Sequence, residues 1–248
     1  MRAGRGALAT AVPPTLLAID TATDICSVAL ARGEHLDERV EAVGQKHSER
    51  ILPMVQAMLS QAGLQLRDCD AIAFGSGPGA FTGLRIACGV AQGLAFGAGL
   101  PVVAVGSLEA LALAACEAAP GARSVLAAID ARMQEAYWAV YSVIGGRLEE
   151  VSAPALASAS ELAAICRRHA PDLVAGNALR SFPEAAAQLS CELAPDVRAS
   201  AASIARLATR KFISGEAAPA DRAAPVYVRD RVALTVDERR AVAAAARP

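Results

Sequence analysis

Apolar and polar residues follow one another along this chain in two rhythms, and the rhythms come in a fixed order. Leu16-Leu17-Ala18-Ile19 is an unbroken apolar run closed by Asp20, and Cys26-Ser27-Val28-Ala29-Leu30 is a second run. Both read as buried strands. Glu34 to Val43, after the turn residue Gly33, predicts a third strand. From Ser48 to Ala62 the apolar positions recur at helical spacing until Gly63 stops them. Ala71-Ile72-Ala73-Phe74 is strand-like again and runs into the loop Gly75-Ser76-Gly77-Pro78-Gly79-Ala80-Phe81-Thr82-Gly83. A helix to about Phe96 and a short strand from Pro101 to Val105 follow.

The order then restarts. Ser124 to Ile129 is an apolar strand that again ends in an acid, Asp130. Ala136 to Val143 predicts the next strand, Gly145-Gly146 the turn, and Arg147 to Val151 a third strand. Ser160 is placed to cap a helix to about His169, and Leu173-Val174-Ala175 is one more strand. Strand, acid, turn, strand, turn, strand, helix therefore occurs twice. Duplication of such a unit predicts an α/β protein of the actin-like ATPase (ASKHA) architecture, with two duplicated mixed-sheet subdomains. The division expected is an N-terminal extension (1–14), a first subdomain (15–106), a second (107–235) and a C-terminal tail (236–248).

Composition narrows the classes. Of 248 residues, 54% are hydrophobic and 20% charged, which describes a globular chain. The formal net charge is −1, without the basic excess of a protein that grips nucleic acid by itself, so any such role falls to a partner. The six cysteines form no Cys-x-x-Cys pair and have no histidine at zinc-ligand spacing, which reads as free reduced thiols and no metal. Ile86 to Leu108 carries no charge and is long enough to span a bilayer, but Pro101 and several glycines break it into a helix and a strand. No membrane span and a cytoplasmic location are therefore expected.

Three features carry candidate chemistry. The Gly75–Gly83 loop offers backbone N–H groups and a helix N-terminus, which suits an anion. It lacks the Gly-Lys-[Ser/Thr] ending of a phosphate loop, and a strand-to-helix turn packed tightly through small residues explains the same letters. Asp20 and Asp130 end equivalent strands, where an acid holds magnesium or orients water, or caps its own turn. The candidate nucleotide contacts, weak or vestigial, are Asp20, Thr21, Ser76, Gly77, Pro78, Gly79, Thr82, Gly83 and Asp130. The third feature is the pair of helices after Ser48 and Thr82, whose apolar faces are wider than one core requires. A partner surface there would use Arg50, Met54, Ala57, Met58, Gln61, Arg85, Cys88, Gly89, Ala91, Gln92, Gly93 and Phe96; burial in a large core is the other reading. The three histidines, His35, His47 and His169, suggest no nucleophile–base pair.

Four segments resemble the TsaB (YeaZ) family. They are Leu17-Ala18-Ile19-Asp20-Thr21-Ala22-Thr23, His47-Ser48-Glu49-Arg50-Ile51-Leu52-Pro53, Gly75 to Ile86, and Pro225-Val226-Tyr227-Val228-Arg229-Asp230. The resemblance implies the actin-like fold and a part in making N6-threonylcarbamoyladenosine at position 37 of tRNA. It implies a non-catalytic assembly subunit that supports a TsaD-type catalytic subunit and a TsaE-type ATPase. Alone the chain would be a homodimer, and it would meet tRNA only through the complex. It would need no cofactor, with ATP or ADP possible only at a complex interface. In the family the two helices above make the contact with the catalytic subunit or with a second copy. Catalytic relatives carry a metal-binding His-x-x-x-His where this chain has Ser107 and Leu111, and a Gly-Gly pair where it reads Val174-Ala175-Gly176-Asn177. Both departures favour a subunit without the chemistry. The competing reading is an ATP-dependent phosphotransferase of the actin-like fold. The older peptidase label of this superfamily finds no support in the Ser, His or Cys pattern.

Overall fold

A computed structural model describes residues 13–229. Residues 1–12 of the expected extension, the tail from 236, and Asp230 of the last motif lie outside the described residues.

The first half contains β1 (Thr15–Asp20), β2 (Ile25–Arg32), β3 (His35–Ala42), α1 (His47–Ala62), β4 (Ala71–Gly77), α2 (Phe81–Ala98), β5 (Val102–Gly106) and α3 (Ser107–Ala118). The second contains β6 (Ser124–Arg132), β7 (Glu135–Ile144), β8 (Arg147–Ser158), α4 (Leu162–His169), β9 (Leu173–Ala175), two single turns α5 (Ala178–Ser181) and α6 (Pro183–Ala186), β10 (Glu192–Ala194) and α7 (Ala201–Ile213). The two sheets run β3-β2-β1-β4-β5 and β8-β7-β6-β9-β10. In each, the first three strands pair antiparallel and the last two add parallel. The duplication is therefore exact in strand order and direction, and the architecture is the α/β actin-like one.

Local signals end the helices where the sequence demands it. Gly63 and Gly99 both adopt left-handed φ, 67° and 68°, and close α1 and α2. Leu64 N–H then reaches Leu59 O and Leu100 N–H reaches Ala95 O, so the last carbonyls are satisfied. The uncharged stretch from Ile86 thus ends its helix at Ala98 and re-enters a sheet at Val102. Among the described residues no helix is long and apolar enough to cross a membrane.

Several elements differ from the sequence reading. Ser160 does not cap α4; it lies in a single 3-10 turn closed by Ser158 and Glu161, and α4 starts only at Leu162. β8 runs past Val151 to Ser158 through Pro154, which an edge strand tolerates because its outer N–H groups need no partner. The sequence reading also contains no counterpart of α5, α6 and β10, nor of the helix α7.

That helix closes the molecule. The last helix of each half crosses over: α3 packs on β6 and β7, and α7 packs on β1, β2 and β4. The result is five layers: α1 and α2, first sheet, α3 with α7, second sheet, α4 with the short helices. The central layer is built from small side chains, among them Ala110, Ala112, Ala115, Ala201, Ala205 and Ala208, which bring the sheets close, with Leu108, Leu111 and Ile204 filling between them. The start of α7 is held by side chains of the first half. Ser27 Oγ accepts from Ala201 N–H at 2.9 Å, and Glu38 Oε1 accepts from Ala202 N–H at 2.8 Å.

Ala205→Leu inserts three carbons into this closed layer. It is expected to destabilise the chain by about 1–3 kcal/mol. Urea melts followed by far-UV circular dichroism should show the loss, with both halves still unfolding in one transition.

Candidate functional site

A cleft of ≈ 960 Å³ opens between the halves where the central helices begin, lined by Ser107 and Leu111 of α3 and by Val197 to Ala199 ahead of α7. The loop after β4 forms one wall, and the β6–β7 hairpin forms the other. Of the nine candidate nucleotide contacts, Pro78, Gly79, Thr82, Gly83 and Asp130 line it. Asp20, Thr21, Ser76 and Gly77 do not; they are buried behind the wall.

The loop glycines are accounted for by packing. A Cβ at Gly75 would overlap the Asp20 carboxylate, and one at Gly83 would overlap the Thr21 carbonyl. At Gly79 it would lie 2.9 Å from Ala22 O, and at Gly77, where φ is 115°, 2.7 Å from Val226 O. Hydrogen bonds complete the fit. Thr21 Oγ1 donates to Gly83 O at 2.7 Å, Ala80 N–H to Ala22 O at 2.9 Å, and Ser76 Oγ to Val105 O at 3.0 Å. Both hydroxyls are thus engaged within the protein.

The two acids occupy equivalent turns. Asp20 Oδ1 accepts from Ala22 N–H at 3.2 Å and Asp130 Oδ1 from Arg132 N–H at 2.8 Å, so each closes the turn two residues on. Their surroundings differ. Asp20 is 1% exposed, and burial pushes its carboxyl up to about 7 against the opposing pull of the Ala22 and Thr21 N–H groups. Asp130 receives Ser181 Oγ at 2.9 Å and faces Arg132 Nη1 at 3.4 Å, while its own N–H donates to Asn177 Oδ1 at 2.9 Å. Gly176, at φ 118°, has no room for a Cβ beside Ala128 O. Its neighbour Asn177 is therefore tied to the acid-bearing strand.

Ser107 and Leu111 lie one turn apart and both face the cleft. No group of three or more His, Cys, Asp or Glu side chains that could hold a metal comes together among the described residues. His47, the first residue of α1, is buried with Nε2 unpartnered, while His35 meets Asp37 at 3.0 Å on the surface and His169 packs on Trp138. None is joined to a cysteine or serine.

The candidate partner surface divides. Met54, Met58, Cys88 and Ala91 are buried in the core between the two helices and the first sheet. They support the outer face and do not form it, because in both helices these positions turn toward β1, β2 and β4. Arg50, Gln61, Arg85, Gly89, Gly93 and Phe96 are exposed, and Ala57 and Gln92 are half-buried. Arg50 pairs with Glu41 through two bonds of 2.8 and 2.9 Å, and Gln92 donates to Ala220 O at 3.1 Å. Phe96 is 78% exposed, and Cβ atoms at Gly89, Gly93 and Gly97 would meet nothing. Leu52, 50% exposed on α1, adds to this face and was missed, since periodicity places it among the core positions.

Comparison with known proteins adds independent findings. A family model described as TsaD: tRNA N6-adenosine threonylcarbamoyltransferase matches residues 41–234. The chain is 52% identical over 126 residues to the tRNA threonylcarbamoyladenosine biosynthesis protein TsaB of Escherichia coli (strain K12), covering 51% of this chain and 54% of that protein. With the protein of the same name from Haemophilus influenzae identity is 54% over 127 residues, 50% of this chain and 52% of the relative. The chain thus spans about half the length of the curated relatives it matches. The solved structure described as YeaZ from Pseudomonas aeruginosa is 39% identical with a TM-score of 0.78, covering 86% of this chain and 99% of that one.

The Asp20 carboxyl binds its proton more tightly in the folded state than in the unfolded chain, where an aspartate titrates at ~3.9. The stability this proton confers is full below about pH 4 and is lost as pH rises through about 7. Asp20→Asn has no such proton. Between pH 4 and 8 the parent should therefore lose up to about 4 kcal/mol relative to Asp20→Asn. Paired denaturant melts at the two pH values measure this; parallel pH profiles would refute the assignment.

Proposed function

The chain belongs to the TsaB (YeaZ) family, and from that premise we propose that it is a non-catalytic subunit in the formation of N6-threonylcarbamoyladenosine at position 37 of tRNA. Its partners in this reading are a TsaD-type catalytic subunit and a TsaE-type ATPase. It meets tRNA only through the complex, needs no cofactor of its own, and dimerises when alone. One contrast carries the reading. The two turn acids, and the Thr21 and Ser76 hydroxyls behind the cleft wall, are consumed by bonds within the chain, whereas the outer face of α1 and α2 has no cover among the described residues. A large exposed ring beside helix positions without side chains permits close approach of another helix pair. The family resemblance supports the same face.

An ATP-dependent phosphotransferase is the second reading, and the size of the cleft is the observation that favours it. Such an enzyme should gain about 2.7 kcal/mol of stability from Mg-ATP at 100 times its Kd. A thermal-shift titration is expected to show no such gain for the isolated chain.

Gly89→Arg and Gly93→Arg test the assembly reading with little risk to the fold. Both positions open to solvent, and replacing a helix-interior glycine favours the helix by a few tenths to about 1 kcal/mol. A long charged side chain there should nevertheless weaken binding to a TsaD-type partner by roughly 100-fold, a penalty of about 3 kcal/mol. Reconstituted tRNA modification should fall in step with a pull-down, while Tm holds or rises. Asp130→Asn should leave turnover intact. Modification by the chain alone, or full activity of the arginine variants, would overturn the proposal.

A further inference from the structure

The segment Pro225–Arg229 belongs to neither sheet, yet it touches both halves. Before it, the chain runs along the first half, where Ala218 bridges Val102 and Ala220 O accepts from Gln92. Val226 N–H then donates to Ser76 O at 2.7 Å, closing over Gly77, whose missing side chain leaves room for Val226 O. Tyr227 stacks on Phe81 with ring centres 5.4 Å apart, and its hydroxyl accepts from Arg85 Nε at 3.0 Å. The Arg85 guanidinium lies 3.9 Å above the Phe81 ring. These contacts seat the segment against one side of the first turn of α2, where Phe81 stays 42% exposed.

Two residues after Tyr227 the chain has crossed the cleft. Three residues of extended backbone, Val226 to Arg229, reach roughly 10 Å. Arg229 Nη2 lies 2.5 Å from Glu135 Oε2 on β7 and 3.5 Å from Arg132 O, and the guanidinium faces Tyr137. Its side chain is only 13% exposed.

The turn it reaches is strained. Arg132, Met133 and Gln134 have φ of 64°, 57° and 60°, three consecutive non-glycine residues in the left-handed region. Each L-residue there costs ~1–2 kcal/mol, so the turn persists only while its surroundings hold it. Those surroundings are the Asp130 carboxylate, bonded to Arg132 N–H, Ala159, whose N–H donates to Gln134 O at 2.9 Å, and Arg229, which bonds Arg132 O and lies 3.5 Å from Met133 Sδ. Met133, 71% exposed, gains little from packing.

We propose that Pro225–Arg229 is a latch across the mouth of the cleft. It couples the loop after β4 to the β6–β7 turn, so that release at either end frees both walls. While it is seated, it narrows the mouth beside the first turn of α2, and a ligand that spans both walls at that point must displace it. Opening costs the Val226–Ser76 bond, the Tyr227 stack and the Arg229–Glu135 pair together, and it lets the left-handed turn relax. The device therefore has two discrete states and no graded opening. It does not depend on the role in tRNA modification.

Hydrogen exchange read by mass spectrometry on the full chain tests the coupling. Glu135→Ala cuts the anchor on the second half, and Tyr227→Ala cuts the anchor on the first. Each is expected to raise exchange on the opposite wall by at least tenfold: residues 76–83 for Glu135→Ala and 131–136 for Tyr227→Ala. β1 and β6 should stay protected. Because there is one latch, the double variant should exchange no faster at either wall than the faster single variant. Glu135→Gln and Tyr227→Phe, which keep shape, are read by the same rule should an alanine variant lose global protection. Increases confined to the mutated side, or additive effects in the double variant, would overturn the proposal.

Discussion

The structure depends on the layer of two helices sealed between the sheets. Each half ends in a helix that packs on the sheet of the other half, α3 on β6 and β7, α7 on β1, β2 and β4. A sheet with apolar residues on both faces must be covered on both, and here one cover of each sheet comes from the opposite half. Neither half possesses a complete core by itself. The alanines of α3 and α7 set how near the sheets come, and Ser27 and Glu38 fix where α7 starts by bonding its first free N–H groups.

The cleft follows from that layer, since it opens where the two crossing helices begin. Duplication then places an acid at the same point of each wall, and both acids close the same kind of turn. Their chemistry separates because their surroundings do. Asp20 sits in a dry pocket made possible by Gly75, so its proton is held up to about 7. Asp130 lies nearer the surface, where its carboxylate accepts from the Ser181 hydroxyl and the Arg132 N–H and faces the Arg132 guanidinium. One motif in two settings gives one buried carboxyl that resists ionisation and one that is bonded at the edge of the cleft.

The loop after β4 shows how a phosphate-like pattern arises from packing. Four of its glycines abut another part of the chain: a carboxylate, two backbone carbonyls of the β1–β2 turn, and the carbonyl of Val226. A glycine-rich turn before a helix is needed wherever backbone meets backbone, whether or not an anion is present. On α2 the same residue type has the opposite meaning, because Gly89 and Gly93 face open space.

The sequence by itself determined the strands β1 to β9, the helices α1, α2 and α4, and the repetition of their order. Strand runs, acid-ended turns and glycine stops are local signals, and twofold recurrence of one order leaves few ways to arrange the sheets. It also marked Asp20, Asp130 and the Gly75–Gly83 loop as a related set. What it did not carry was direction. Met54, Met58, Cys88 and Ala91 turned inward while Leu52 and Phe96 turned outward, because in a helix apolar nearly all round the periodicity has no polar side to orient it. The crossing of α3 and α7, the strained turn at Arg132–Gln134, and the passage of Tyr227 and Arg229 over the cleft were decided only by tertiary structure. The contacts of α7 with the first sheet and of Tyr227 and Arg229 across the cleft join residues about a hundred or more positions apart, and no local pattern of letters encodes a partner that distant.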